Sequence, residues 1–182
     1  ARQEAIEAKG WRYQKVKRGF EVEGISDAMV WSYRAVTSSG NNHSSSRRSG
    51  RWTTAAEPVD DIVLLGPPLP AAMLAMGFSG MLVQFLAKMV LGDRADDLAR
   101  ARELQLPPAL QGKMSLVGTD QAVADAFLTD AVVEALAAME PKPVVLRWKD
   151  SLEVRVHDRV ADVETIERVA ALGEVLAGSI GY

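Results

Sequence analysis

The polar stretch "TSSGNNHSSSRRSG", residues 37–50, places His43 directly before three serines. A serine nucleophile needs a base held at hydrogen-bond distance and oriented by a third group, and a polar loop does not hold such a geometry. The Gly-x-Ser-x-Gly motif, which presents a nucleophile at a sharp strand-to-helix turn, does not occur. We therefore interpret the stretch as a loop and predict no serine-hydrolase site in it.

The other histidine, His157, precedes Asp158, and a second pair of carboxylates stands at Asp60 and Asp61. These four side chains would supply acid–base groups if the fold brought them into one cleft. Metal-dependent phosphohydrolases also use a His-Asp pair, but they need more histidines than the two in this chain. A hydrolase or transferase of unrecognised type is therefore one hypothesis, without a metal.

Asp93 and Asp97 lie four residues apart and would share one helix face. The EF-hand spacing is absent, and acidic residues favour the first turn of a helix without any metal. Neither the Walker spacing nor G-x-G-x-x-G occurs. We expect no metal and no cofactor, and we assign no catalytic residue.

The chain has 182 residues and no cysteine, which excludes disulfides, thiolate nucleophiles and Cys-ligated metals. Its net charge of −3 divides into +3 for residues 1–60 and −6 for residues 61–182. A mildly basic front without a dense Lys/Arg stripe does not indicate a nucleic-acid partner. A protein partner or a homo-oligomer remains open.

Three arginines lie at the end of the polar stretch: Arg47, Arg48 and Arg51. With the serine hydroxyls and glycine-flanked amides, they favour binding of a phosphate or an acidic lipid head group. The alternative is a hairpin tip without a ligand, because Ser, Gly and Asn prefer irregular backbone. An anion or acidic-lipid binder through this loop is a further hypothesis.

The elements around the loop are strands. Apolar and polar residues alternate through residues 11–66, with short breaks at 17–19 and 26–28 that are typical of hairpin turns. We predict a five-stranded antiparallel meander, with its fourth strand in "RWTTAAEP" and its fifth in "DIVLLGP". Residues 1–10 precede it as the end of a helix capped by Gly10.

Trp31 and Trp52 both belong to the predicted meander. On one side of the sheet they would form an aromatic groove for a peptide or a glycan. Aromatic cross-strand pairs in small sheets more often pack the core, and we favour packing.

Residues 67–112 are a predicted helical centre. "PPLP" ends the strands, and an apolar helix over residues 71–92 follows, with a short charged helix in "DRADDLARAREL". A helix that is apolar on all sides is buried, inserted in a membrane or covered by a partner, and all three remain open. A partner surface would use its Met and Phe side chains: Met73, Met76, Phe78, Met81 and Phe85.

Residues 113–182 predict a β-α-β-β-α unit. A helix capped by Thr119 follows the strand "KMSLVG" and runs to about Glu140, with Ala131 and Ala135 on its predicted apolar face. Two strands meet in a hairpin at Lys149–Asp150. Asp162 caps the last helix, whose predicted core stripe is Val163, Ile166, Val169, Ala170, Leu176 and Ile180. The predicted class is thus α+β: an N-terminal antiparallel β-meander, a central apolar helix and this C-terminal unit, in one compact domain.

The segment 114–158 resembles in layout some uncharacterised bacterial domains that are often tethered to membranes. The shared layout is a strand, a helix that opens with Asp and reaches a Leu-Thr pair, and two strands joined by an Asp-Gly-Leu turn. The matching residues are Asp120, Ala126, Leu128, Thr129, Lys149, Asp150, Ser151 and Leu152. Ser151 stands where glycine is usual, and the resemblance is confined to the C-terminal third of the chain.

No activity, cofactor or site residue follows from this resemblance. It implies that the helix at Ala1 continues toward a membrane anchor, so that membrane association would use a segment before Ala1. We therefore expect a non-enzymatic interaction or sensory module, cytoplasmic or membrane-associated and facing the cytoplasm.

Overall fold

The computed structural model describes residues 1–39, 46–68, 100–157 and 162–180, with the backbone alone at 38, 39 and 46–48. Within these residues the chain is α+β, with a seven-stranded sheet and four α-helices, which confirms the predicted class. The strands are β1 (Arg12–Val16), β2 (Gly19–Ser26), β3 (Met29–Ser39), β4 (Ser46–Gly66), β5 (Arg102–Glu103), β6 (Ser115–Gly118) and β7 (Val144–Val156). The helices are α1 (Arg2–Glu7), α2 (Gln121–Phe127), α3 (Asp130–Ala138) and α4 (Val163–Gly178).

The strand order is β1-β2-β3-β4-β6-β5, and β7 pairs with β4. The chain divides into two compact units, Ala1–Glu57 with Asp150–Tyr182, and Pro58–Lys149. The boundaries fall inside β4 and inside β7. We call the first the N-terminal sheet unit and the second the middle unit.

The meander of the N-terminal sheet unit has four strands, and the prediction of five was wrong. "RWTTAAEP" and "DIVLLGP" belong to one strand, β4, which continues through Pro58. Proline lacks the N–H that a ladder requires. Pairing with β3 ends at Thr54 and pairing with β6 begins at Val63, so neither of these two ladders requires an N–H at Pro58.

The core of the N-terminal sheet unit is aromatic. Trp31 and Tyr33 project from β3 and Trp52 from β4, and all three are at most 1% exposed. α1 contributes the fully buried Ile6, and α4 contributes a stripe that includes Ile166 and Val169. Four residues of the predicted stripe are buried, namely Ile166, Val169, Ala170 and Leu176, whereas Val163 and Ile180 at its ends are half-buried. The Asp162 cap agrees with the prediction: Asp162 Oδ1 accepts the backbone N–H of Thr165 at 2.8 Å.

The helical part of the middle unit is two helices rather than one. α2 ends at Phe127 and α3 begins at Asp130, capped by Thr129, whose hydroxyl accepts the Val132 N–H at 3.4 Å. The break shifts the helical phase, so that Val132 and Leu136 are buried where the sequence pattern had predicted Ala131 and Ala135. Lys142 Nζ lies 3.2, 2.7 and 2.9 Å from the carbonyls of Leu136, Ala137 and Met139, satisfying the end of α3.

The predicted hairpin at Lys149–Asp150 was also wrong. β7 runs without reversal from Val144 to Val156, because its partner is β4 and not its own second half. At the position of the predicted turn, the backbone of β7 is locally irregular, with a φ of 53° at Lys149.

The central helix over 71–92 lies outside the described residues, together with Met73, Met76, Phe78, Met81 and Phe85. At the end of the predicted charged helix, Arg102 and Glu103 form the short strand β5, paired with β6, instead of a helical turn.

Candidate functional site: a basic end of the N-terminal sheet

Of the predicted anion-binding residues, only Arg51 has a described side chain. It is exposed on β4, directly across the ladder from Arg34. Its guanidinium lies 4.0 Å from a carboxylate oxygen of Glu153, which also accepts Arg155 at 2.8 Å. Like charges opposite one another on a ladder repel, and the buried Glu153 carboxylate reduces this repulsion.

Arg47 and Arg48 are described by their backbone, which continues β4 opposite Ser38 and Thr37 of β3. Residues 40–45 of the predicted loop, including His43, lie outside the described part. The anion site at the loop therefore stays a prediction, but the register fixes where Arg47 and Arg48 enter the sheet.

The same end of the sheet carries the β1–β2 turn. Val16, Gly19, Val36 and Ser49 form one row across the four strands. Beyond this row, β1 and β2 end in the turn residues Lys17 and Arg18. β3 and β4 continue, with the β4 backbone of Arg48 and Arg47 paired to Thr37 and Ser38. The amide of Thr37 donates to the Arg18 carbonyl at 2.9 Å, which ties the turn to β3.

A small cavity of about 230 Å³ opens at this end of the sheet. Its cations are Arg2, from the start of α1, and Lys15, from β1. The remaining lining residues are Tyr13, Gly19, Phe20, Ala35, Val36 and Thr37. The Arg2 guanidinium lies 5.1 Å from the centroid of the Phe20 ring, and that ring stacks on Tyr13 at 5.7 Å. The aromatic pair thus holds a guanidinium at the cavity wall.

We call Arg2, Lys15, Lys17 and Arg18 the basic end. All four are exposed, and none forms an ion pair with another described residue. In register, the neighbouring carboxylate Glu21 projects to the opposite face from Phe20 and Lys15. The basic end is therefore a patch of uncompensated positive charge beside a cavity.

At the far end of the same strands, the cations are compensated. Arg12 lies 3.3 Å from Glu23 across the β1–β2 ladder, and Lys9 pairs with Glu167 of α4. This unit therefore has ion-paired cations at one end of its strands. At the other end, the cations form no ion pair with another described residue.

The four cations of the basic end were not singled out from the sequence. The excess of Lys and Arg over Asp and Glu in residues 1–60 already indicated a basic surface in this part of the chain. Linear order, however, does not show that a helix start and a hairpin turn meet, or which cations find carboxylates.

The aromatic groove does not form. Trp31 and Trp52 do face one side of the sheet, but they are 1% and 0% exposed. Trp11 contacts Trp31 edge-on with ring centroids 5.1 Å apart. These rings pack the core.

The residues proposed as acid–base groups are divided between the two units. The hydroxyl of Thr119 donates to Asp61 Oδ1 at 2.8 Å and accepts the Ile62 N–H at 3.0 Å, in the middle unit. Thr119 therefore holds the end of β6 against β4. Asp120 caps α2, and the prediction that Thr119 would cap it was wrong. His157 is exposed at the end of β7 in the other unit, and Asp158 lies outside the described residues.

No group of three metal-ligating side chains occurs within residues 1–39, 46–68, 100–157 and 162–180. Within those same ranges, no helix combines the length and apolarity that crossing a membrane requires.

A second cavity, of about 930 Å³, lies in the middle unit. Its wall is mainly apolar, with Leu104, Leu106, Met114 and Leu116. Glu103 is the one charged side chain among the described residues that line it.

Comparison with known proteins gives a fold and no family. No family model matches the chain, and no curated protein matches it in sequence. Among solved structures, the chain is similar to the crystal structure of the mycobacterial trehalose monomycolate transport factor A. The two share 9% identity at a TM-score of 0.60, over 99% of this chain and 92% of the other. At this identity, the likeness shows that the two chains share a fold.

Proposed function

We propose that this chain is a non-enzymatic interaction module, the extramembrane part of a bacterial protein that is tethered through a segment before Ala1. The observation that carries the proposal is the likeness of fold, over 99% of this chain, to a protein named as a transport factor. By analogy, this chain would assist a process at a membrane by binding and would transform no substrate.

The charge near Ala1 favours the cytoplasmic side for the module. Residues 1–18 contain six Lys/Arg, and basic residues near a membrane segment favour the cytoplasmic side, where the proposed tether would hold them. Four of these six are the exposed cations of the basic end.

The tether is tested by expressing the full natural protein in its own bacterium and separating membranes from soluble protein. We expect recovery with the membranes, release by detergent but not by high salt, and protection from protease added to intact spheroplasts. Recovery in the soluble fraction contradicts the tether.

The absence of turnover is tested with the purified chain. Acylated trehalose and simple phosphate esters are incubated with the protein and analysed by mass spectrometry, and binding is followed in parallel by tryptophan fluorescence. We expect the compounds to be recovered unchanged. Cleavage that scales with protein concentration and disappears in Asp61→Asn or His157→Asn overturns the proposal in favour of the hydrolase hypothesis.

A further inference from the structure

We propose that the basic end is a docking surface for an acidic phospholipid membrane, and that its cavity receives one head-group phosphate. This inference deepens the proposed function, because it takes the partner to be the membrane beside the tether. It rests on the convergence of four cations, on the absence of ion pairs between them and other described residues, and on the cavity between two of them.

Ion pairing within the protein decides how much of a cation's charge is available to an anion outside. A cation in an ion pair within the protein must lose that pair to bind an anion outside, and Lys9 and Arg12 are of this kind. Lys15, Lys17 and Arg18 form no such pair with described residues, so their full charge is available. Each basic residue near an acidic bilayer strengthens partitioning by a factor of about five.

The size of the cavity indicates which part of a lipid fits inside it. At about 230 Å³ it is smaller than the 300–1,000 Å³ typical of sites that enclose a whole small molecule. The Arg2 guanidinium and the Lys15 ammonium are donors for phosphate oxygens, and the Thr37 hydroxyl adds a third. The cavity therefore suits a phosphate whose glycerol and acyl chains remain in the bilayer.

The geometry also explains why one end of the sheet is involved. Lys17 and Arg18 project from a two-residue turn, and the β4 backbone brings Arg47 and Arg48 to the same end. A hairpin end can approach a flat surface closely, which matters because charge interactions fall off within about 8–10 Å at physiological salt.

The test is flotation of the purified chain with two kinds of vesicle. One is phosphatidylcholine alone, and the other is an equal mixture of phosphatidylcholine and phosphatidylglycerol. We expect binding to the mixed vesicles at low salt, little binding to the neutral ones, and loss of binding in molar salt.

The variant Lys15→Gln/Lys17→Gln removes two charges from the basic end. It should bind the mixed vesicles about 25-fold more weakly, as the product of two factors of about five. The matched control, Arg102→Gln/Lys113→Gln, removes two exposed charges of the middle unit and should bind as the parent does. Circular dichroism and unfolding of each variant establish that both fold.

Three outcomes overturn the inference. They are no binding to the mixed vesicles at low salt, equal weakening by the two variants, and full competition by inorganic phosphate, which would assign the site to a free anion. None of these contradicts the proposed function, because its own tests are the membrane fractionation and the recovery of unchanged compounds. Amide shifts at Gly19, Val36 and Thr37 on adding short-chain phosphatidylglycerol would place the head group in the cavity.

Discussion

Gly173 of α4 lies against the indole ring of Trp52: a Cβ atom at position 173 would come within 2.6 Å of both Cε2 and Cζ2 of that ring. The helix can approach the sheet this closely only because position 173 has no side chain. Trp52 is fully buried under it.

Gly173→Ala should therefore destabilise the protein, although alanine is the better helix former. The clash of a methyl group in a packed core costs about 1–3 kcal/mol, more than the roughly 1 kcal/mol gained in helix propensity. Denaturant unfolding followed by tryptophan fluorescence measures the difference. Gly178→Ala in the same helix is the control, because nothing lies within 4 Å of its Cβ position, and it should be neutral or slightly stabilising. Equal effects of the two substitutions would contradict the packing argument.

The β2–β3 turn is strained at Ala28. Asp27 and Ala28 have φ values of 46° and 69°, between the paired residues Ser26 and Met29, which is the geometry of a type I′ turn. Glycine is free of the clash that an L-residue meets there, so Ala28→Gly should stabilise by about 0.5–1 kcal/mol after the added unfolded-state entropy. Thermal unfolding checks the sign. Ala126→Gly in α2 should have the opposite sign, by about 1 kcal/mol, because glycine is a poor helix former.

The N-cap of α4 should make stability depend on pH. The backbone N–H of Thr165, and then its hydroxyl, lower the pKa of Asp162 below the usual 3.8. Since the pKa is lower in the folded state, the stabilisation is present above about pH 4 and is lost as pH falls through the folded pKa. Asp162→Ala should cost about 1 kcal/mol at neutral pH and progressively less in acid. Asp162→Asn, which still caps but does not titrate, should flatten this dependence; unfolding curves across pH test both.

The Thr119 hydroxyl should stabilise the middle unit. It joins Asp61 to the backbone of Ile62, so Thr119→Val leaves a carboxylate and an N–H without their partner and should cost about 1–2 kcal/mol. A double-mutant cycle with Asp61→Ala, which removes the acceptor, measures the coupling. Additive effects would show that the hydrogen bond contributes nothing, and a coupling of about 1 kcal/mol would confirm it.

How far the sequence predicted the fold depended on the range of the forces involved. The cap at Asp162 and the apolar stripe of α4 follow from neighbours within one or two helical turns. The cap was confirmed, and so was the stripe between Ile166 and Leu176. The break at Thr129 was equally local, since threonine before an aspartate is an N-cap signal, but the continuous alanine-rich pattern concealed it. The continuity of β4 through Pro58 and of β7 through Lys149 could not be predicted, because it depends on the pairing of these two strands with each other. The partner strands lie far away in the sequence.

The sequence by itself determined the α+β class, the alternating strands of the N-terminal region and the positive balance of residues 1–60. It also excluded thiol chemistry. Only the tertiary structure decided which of those positive charges form ion pairs within the described part of the chain. Lys9 pairs with a carboxylate of α4, and Arg12 pairs with one of β2. The four cations of the basic end lie at the other end of the sheet, where Glu21, the neighbouring carboxylate in register, projects to the opposite face from Lys15. The physical reason is that an ion pair acts over a few ångströms in space, whatever the separation along the chain.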